Sequence, residues 1–117
     1  MFTADVILVP SAFTKTTGIA HWHTLLRARA IENQVYIAAA AQVGMHNATR
    51  ASFGHSLIVD PFGIVDVDLG SVEENTIGTC AISLERLQTV RLQMPVQEHR
   101  HNADHVVNIN VAKIDFR

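Results

Sequence analysis

The sequence has few residues of the kinds that carry covalent or charge-based chemistry. Its 117 residues include one cysteine, seven aromatic residues and only 17% charged residues, with a formal net charge of -2. A single cysteine, Cys80, excludes an internal disulfide. The weak negative balance, with Lys and Arg scattered along the chain, provides no basic surface for nucleic-acid phosphates. We therefore expect no nucleic-acid partner.

Long apolar runs are also missing. A membrane-spanning helix needs about 18 consecutive apolar residues, and the sequence has neither such a run nor a charged-then-apolar leader. We expect no membrane partner and a cytoplasmic location, with an organelle interior such as the mitochondrion as the alternative. Asn47-Ala48-Thr49 matches a glycosylation acceptor, but without a secretory signal we interpret it as coincidence.

The 48% of hydrophobic residues are enough for the core of one domain, and residues 17–44 organise it. Apolar residues spaced to fall on one side of a helix, called the apolar stripe here, predict a helix that Thr17 or Gly18 caps. An unbroken apolar run over 35–41 then predicts a buried strand. An interior strand beside an amphipathic helix indicates a layered α/β fold. The stripe consists of Ile19, Trp22, Leu26 and Ala30, widened by Leu25.

A second interior strand is predicted over residues 6–9, before Pro10. The hydroxyl-rich stretch 11–18 follows it. Because ligands in open α/β sheets bind beyond the carboxyl ends of strands, this stretch is the first place to expect a pocket. An ordinary strand-to-helix loop remains the alternative.

The rest of the chain alternates between strand and helix patterns. Residues 45–52 look like a loop, and 53–69 predict a hairpin with its turn at Asp60-Pro61-Phe62-Gly63. We expect a further strand over 76–84, a helix over 84–94 ended by Pro95, and weak strand character after Val96. In that second helix, the residues expected near one face are Leu84, Leu87, Arg91 and Leu92.

One cysteine, a group of three histidines and one Arg–Glu pair are the residues that suggest specific chemical or structural roles. Cys80 would be the obvious nucleophile, but its neighbours offer no cation, and a buried structural role inside a strand is the better interpretation. His99, His101 and His105 suggest a metal site because the last two are four residues apart. Without a cysteine or a recognised spacing, we interpret them as a solvated segment and expect no metal. Arg29 and Glu32 are spaced for a helix-surface ion pair.

Eight segments match the ordered motifs of a known family. They are 9–14, 17–22, 25–34, 38–42, 50–56, 60–63, 92–96 and 99–100. These segments closely resemble the carbon–nitrogen hydrolase (nitrilase) superfamily, and within it the Nit branch, which includes deaminated glutathione amidases and the Nit half of Nit–Fhit fusions. The resemblance covers about residues 4–101, and the motifs keep the family's order.

The resemblance implies a four-layer α/β/β/α sandwich of which this chain forms the C-terminal part. We expect a partial domain over 1–105 and a divergent tail over 106–117, with departure from the family pattern starting at Asn102. The family uses a Glu base, a Lys that stabilises the tetrahedral intermediate and a Cys nucleophile, without a cofactor. In the family, the thiolate attacks an amide carbonyl, ammonia leaves, and water releases the acyl group from the thioester.

All three family residues belong upstream of the strand that ends at Val9, so the resemblance implies no catalytic residue here. Cys80, Glu32 and Lys15 do not match the catalytic positions. Phe13 and Thr17 match positions that line the acyl pocket.

The helix from Trp22 to Glu32, which includes Arg29, matches one that packs across the family's dimer interface, so a homo-oligomer is expected. Two functions follow. One is an amidase acting on a small carboxylated amide, with this chain inactive alone. The other is a non-catalytic fragment or interaction module from a truncated gene model.

Overall fold

The computed structural model describes residues 4–71 and 76–99, which form a mixed sheet with one long helix packed on it. The predicted α/β class is confirmed. No helix among these residues has the length and hydrophobicity needed to cross a membrane. In chain order the elements are β1 (Val6–Leu8), α1 (Lys15–Asn33), β2 (Tyr36–Ala39), β3 (Val43–Met45), β4 (Ala51–Phe53), β5 (Leu57–Val59), β6 (Val65–Asp68), α2 (Leu84–Gln93) and α3 (Val96–His99).

The larger sheet has the strand order β1-β2-β5-β6. β1 and β2 are parallel and α1 connects them, whereas β5 is antiparallel to both β2 and β6. β2 is the interior strand that its apolar run predicted. The prediction that 6–9 is also interior is wrong within the described residues, because β1 lies at the sheet edge and Leu8 is 75% exposed.

The core lies between α1 and one face of this sheet. Gly18, Trp22, Leu26 and Ala30 form the buried stripe of α1. They face alternate residues of the strands, because successive side chains of a strand point to opposite sides. The sheet and loop residues of this core cluster are Val35, Ile37, Ala39, Leu57 and Val59.

Two residues that the sequence predicted on the apolar side of α1 are exposed in the structure. Ile19 is 68% exposed and Leu25 is 42% exposed, so neither belongs to the core. The helix also begins earlier than predicted, with Thr14 as its N-cap rather than Thr17 or Gly18. Gly18 instead lies in close contact with Phe53, where a side chain would not fit.

The end of α1 depends on a contact distant in sequence. Gln34, which caps the helix, has a positive φ of 52° and is 1% exposed. Its side-chain amide donates to the carbonyl oxygens of Val90 and Met94 at the end of α2, and its own carbonyl oxygen accepts a hydrogen bond from Arg91 Nε. Gln34 therefore ties the end of α1 to the end of α2 by adding a second donor to two carbonyl oxygens that already accept backbone hydrogen bonds.

The hairpin predicted over 53–69 is present, but only as β5 and β6. Residues 51–53 form β4, which pairs with β3 in a separate two-stranded sheet that the loop prediction for 45–52 missed. Gly54 and His55 both have positive φ and interrupt the strand predicted to run from 53 to 60.

Towards the end of the described chain, the predicted strand over 76–84 is wrong, because residues 76–83 have no regular structure. The predicted second helix is confirmed as α2, and Ser83 caps it by accepting a hydrogen bond from the Arg86 amide. Its buried residues are Leu87 and Val90, whereas Leu84 and Leu92 are exposed. The strand character expected after Val96 is wrong for residues 96–99, which form α3, and the rest of that prediction lies outside the described residues.

Candidate functional site

A cavity of about 520 Å³ opens on the face of the sheet opposite α1. It lies where β1 and β2 end, which is where the α/β sheet predicts a ligand site. The lining is almost entirely apolar, and the Ser56 hydroxyl there accepts from the Ala41 amide and donates to the Ala41 carbonyl. The residues that line the cavity are Leu8, Val9, Pro10, Ala38, Ala39, Ala40, Ser56, Leu57, Ile58, Val67, Leu69, Thr76, Ile77 and Gly78.

Phe13 and Thr17, the predicted acyl-pocket residues, lie outside this lining. Phe13 is half-buried, with its ring centroid 5.0 Å from that of Trp22. Its carbonyl oxygen accepts a hydrogen bond from the Phe53 amide. Thr17 is exposed in the first turn of α1, and its Oγ1 accepts a hydrogen bond from Thr14 Oγ1 at 3.0 Å. Their role in binding substrate stays a prediction.

Cys80 lies in the irregular segment after β6 and is half-buried. Burial raises the pKa of its thiol, and the nearby Asp66 carboxylate raises that pKa further. Both effects disfavour the thiolate, which is the reactive form. The prediction of a buried structural cysteine inside a strand is wrong in both respects, because Cys80 is only half-buried and residues 76–83 form no strand.

The predicted ion pair on α1 is present, because Arg29 Nη1 donates to Glu32 Oε1. The Arg29 side chain is 60% exposed, so the pair contributes little to stability. Trp22 points the other way. It is buried in the core and its Nε1 donates to the carbonyl oxygen of His55 at 2.8 Å, so only the rest of the helix surface is left for a partner.

A cluster that the sequence did not indicate consists of His23, His55 and Asp68. They come from α1, the β4–β5 connection and the end of β6, and their ligand-capable atoms all lie within 4.8 Å of one another. Burial raises the pKa of Asp68, but hydrogen bonds from His23, the Gly70 amide and His55 outweigh it, so that pKa is lowered.

Sequence spacing could not have found this cluster, because no local motif joins residues of three separate elements. Of the histidines considered from sequence, His99 lies exposed at the end of α3, while His101 and His105 fall outside the described residues.

Comparison with known proteins gives a consistent picture. The family model described as "Carbon-nitrogen hydrolase" matches residues 3–92. The NitFhit fusion protein of Drosophila melanogaster is 52% identical over 99 residues, which are 85% of this chain and 21% of that protein. Deaminated glutathione amidase of Rattus norvegicus is 52% identical over 99 residues, covering 83% of this chain and 29% of that protein.

Solved structures agree with the sequence comparison. The crystal structure of the Caenorhabditis elegans NitFhit protein superposes with a TM-score of 0.71 at 45% identity, covering 83% of this chain and 23% of that one. The chain thus spans between a fifth and a third of the length of these relatives, and it matches part of the nitrilase sandwich. By its matching motifs, its family model and its fold, the chain belongs to the Nit branch of the carbon–nitrogen hydrolase (nitrilase) superfamily.

Proposed function

We propose that this chain contributes to the hydrolysis of a small carboxylated amide of the deaminated glutathione type. The support is the 52% identity to a protein named deaminated glutathione amidase. In the reaction, a cysteine thiolate attacks the amide carbonyl, the C–N bond breaks, and water cleaves the resulting thioester to the carboxylic acid. The leaving nitrogen takes up a proton as it departs.

The chain alone is proposed to be inactive, with the catalytic Glu, Lys and Cys of the family supplied by residues outside these 117. The observation that carries this proposal is the environment of Cys80. A nucleophilic cysteine needs a neighbouring cation or base that lowers its pKa, whereas burial and Asp66 raise the pKa of this thiol.

The test is a chimera in which residues 4–99 replace the aligned segment of the rat amidase. We expect the chimera to hydrolyse deaminated glutathione, measured by chromatography of the acid product, and the isolated chain to show no hydrolysis. A folded but inactive chimera would contradict the proposed activity. Hydrolysis by the isolated chain that Cys80→Ala abolishes would contradict the assignment of catalysis to other residues.

Thr17 gives the chimera a residue-level test of the acyl pocket. Thr17→Val keeps the shape of the side chain and removes its hydroxyl, so KM should rise by roughly tenfold if the hydroxyl bonds the substrate. Thr24→Val, which changes another exposed threonine on the same helix, should leave KM unchanged. An unchanged KM for Thr17→Val would remove this residue from the site.

The proposed assembly is a homo-oligomer through the exposed surface of α1. Trp22 is unavailable because it is buried, but Leu25 and Arg29 remain at the surface. An apolar side chain beside an Arg–Glu pair is suited to an interface, where the pair can orient the partner.

A non-catalytic interaction module is the second candidate, and the uncovered face of the sheet favours it. Leu8 and Ile77 line the apolar cavity and are 75% and 89% exposed. Exposed apolar surfaces of this kind mark binding or aggregation sites. Association of the isolated chain with a family partner, without hydrolysis, would support this candidate. A monodisperse monomer that melts cooperatively would contradict it.

A further inference from the structure

Three side chains from separate elements converge at one end of the helix–sheet interface. His23 Nε2 lies 2.7 Å from Asp68 Oδ2, and His55 Nδ1 lies 2.9 Å from Asp68 Oδ1. The two imidazole rings have their centroids 5.0 Å apart and meet edge-on. The Asp68 carboxylate therefore lies between the two ring nitrogens, and the three side chains are already in contact.

Each of the three ligand residues has contacts outside the cluster. The His23 ring meets the Phe53 ring edge-on, with centroids 6.0 Å apart. The His55 ring stacks on Phe53 with centroids 4.3 Å apart, and the carbonyl oxygen of His55 accepts the Trp22 indole N–H. Asp68 Oδ1 accepts a hydrogen bond from the Gly70 amide at 2.8 Å. Hydrogen bonds and packing of this kind orient metal ligands in proteins.

We propose that His23, His55 and Asp68 bind one divalent cation of the zinc class. Two imidazoles and a carboxylate form a set that Zn²⁺ accepts in four-coordinate sites with water in the fourth position. Calcium and magnesium prefer sites made of oxygen ligands, which this cluster does not offer.

The geometry requires only a small adjustment. Tetrahedral zinc with bonds of about 2.0–2.2 Å separates its ligand atoms by about 3.3–3.6 Å. Asp68 Oδ2 lies 2.7 Å from His23 Nε2 and 3.1 Å from His55 Nδ1, so these two separations must widen by about 0.2–0.9 Å as the metal replaces the hydrogen bonds. Side-chain rotation suffices for that change, because His23 and Asp68 are about one-third exposed.

The consequence of binding is a cross-link between α1 and the β5–β6 hairpin. These elements already contact each other through the core, and a metal bound only by the folded chain shifts the equilibrium further towards that state. This cross-link does not depend on the proposed amide hydrolysis.

The full 117-residue chain, freed of metal with a chelator, is the sample for the test. Titration with Co²⁺ should give the visible absorption of a four-coordinate site and saturate at one equivalent. Added Zn²⁺ should abolish that spectrum and raise Tm by roughly 5 °C or more at saturating concentration. His23→Gln and Asp68→Asn should each weaken Co²⁺ binding by at least tenfold, with circular dichroism used to check that the variants remain folded.

The matched controls separate this cluster from the other histidines. His21→Gln changes an exposed histidine on the same helix and should leave binding unchanged. A triple variant, His99→Gln, His101→Gln and His105→Gln, should also retain full binding. Loss of binding in the triple variant, equal binding by His23→Gln and the original chain, or no stoichiometric binding at all would each overturn the proposal.

Discussion

At Cys80 the surroundings favour the protonated thiol. Burial raises its pKa and the Asp66 carboxylate adds repulsion of the thiolate, so the thiolate fraction at pH 8 is smaller than for an ordinary cysteine. Alkylation by iodoacetamide, followed by mass spectrometry, should therefore be slow and should accelerate only at pH values above the usual thiol range.

Asp66→Asn should increase the rate at pH 8, because removing the carboxylate lowers the thiol pKa while the effect of burial remains. Glu98→Gln, which neutralises an exposed carboxylate on α3, is the control and should leave the rate unchanged. Fast alkylation of the original chain at neutral pH would contradict this account and restore Cys80 as a nucleophile.

Gly18 is required because α1 packs so closely on Phe53 that there is no space for a side chain at position 18. Alanine is normally better than glycine in a helix interior by about 1 kcal/mol. At position 18, however, a Cβ would overlap Cβ and Cγ of Phe53, and that Cβ is fixed to the backbone, so rotating the side chain cannot relieve the clash. We expect Gly18→Ala to lower the free energy of unfolding by about 2 kcal/mol, measured by urea denaturation.

Ala20→Gly provides the comparison for Gly18→Ala on the same helix. Ala20 is exposed, so propensity alone should make this variant less stable by about 1 kcal/mol. Alanine should thus be favoured at position 20 and disfavoured at position 18. A stabilising Gly18→Ala would show that α1 and β4 are not in close contact.

Among the elements, α1, β2, the β5–β6 hairpin and α2 were predictable because each carries its own local signal. The apolar stripe, the apolar run, the Asp-Pro-Phe-Gly turn and Pro95 all lie within a few residues of the element they define. The strand predicted over 76–84 had only scattered apolar residues as evidence. Ile77 is 89% exposed there, because no neighbouring strand among the described residues pairs with that segment.

The capped turn of the β5–β6 hairpin is also tied to α2. Asp60 Oδ1 accepts hydrogen bonds from the amides of Phe62 and Ile64, and Asp60 Oδ2 accepts two from the Arg86 guanidinium. The Asp60 side chain is 6% exposed. One carboxylate therefore both closes the turn and fixes the position of the helix.

Asp60→Ala should lower the free energy of unfolding by about 3 kcal/mol in urea denaturation. The loss leaves two turn amides and a guanidinium without their acceptor. Asp60→Asn retains an oxygen for the amides and should cost about half as much. Asp5→Ala breaks an ion pair between Asp5 and Arg91 in which the Asp5 side chain is 49% exposed, and it should cost under about 1 kcal/mol. Equal losses for Asp60→Ala and Asp5→Ala would contradict the role of burial.

At the scale of the whole molecule, the sequence predicted the family and the α/β fold class, but it did not predict the cluster of two histidines and one aspartate. The family can be recognised from the order of its motifs alone, because each motif is a short run of neighbouring residues. The His23, His55 and Asp68 cluster required the fold, because only the pairing of β5 with β6 and the packing of α1 on the sheet bring these residues together. The apolar stripe correctly predicted Trp22 as a buried residue, whereas the exposure of Ile19 and Leu25 depended on which face of α1 meets the sheet.

The two faces of the larger sheet differ in what covers them. α1 covers one, while the other carries the apolar cavity of about 520 Å³. The open face and the exposed side of α1 both carry exposed apolar side chains, so both are surfaces on which self-association can occur. An experiment on oligomerisation must therefore distinguish α1 from the sheet.

Leu25→Glu and Leu8→Glu make that distinction. Leu25 is 42% exposed on α1, whereas Leu8 is 75% exposed on β1 and lines the cavity on the open face of the sheet. In a two-fold interface through α1, each copy contributes the same residue, so Leu25→Glu inserts two carboxylates and should raise the dissociation constant at least tenfold in sedimentation equilibrium. Leu8→Glu should have no effect, although its side chain is more exposed. Equal weakening by both variants, or weakening by Leu8→Glu alone, would exclude α1 as the interface.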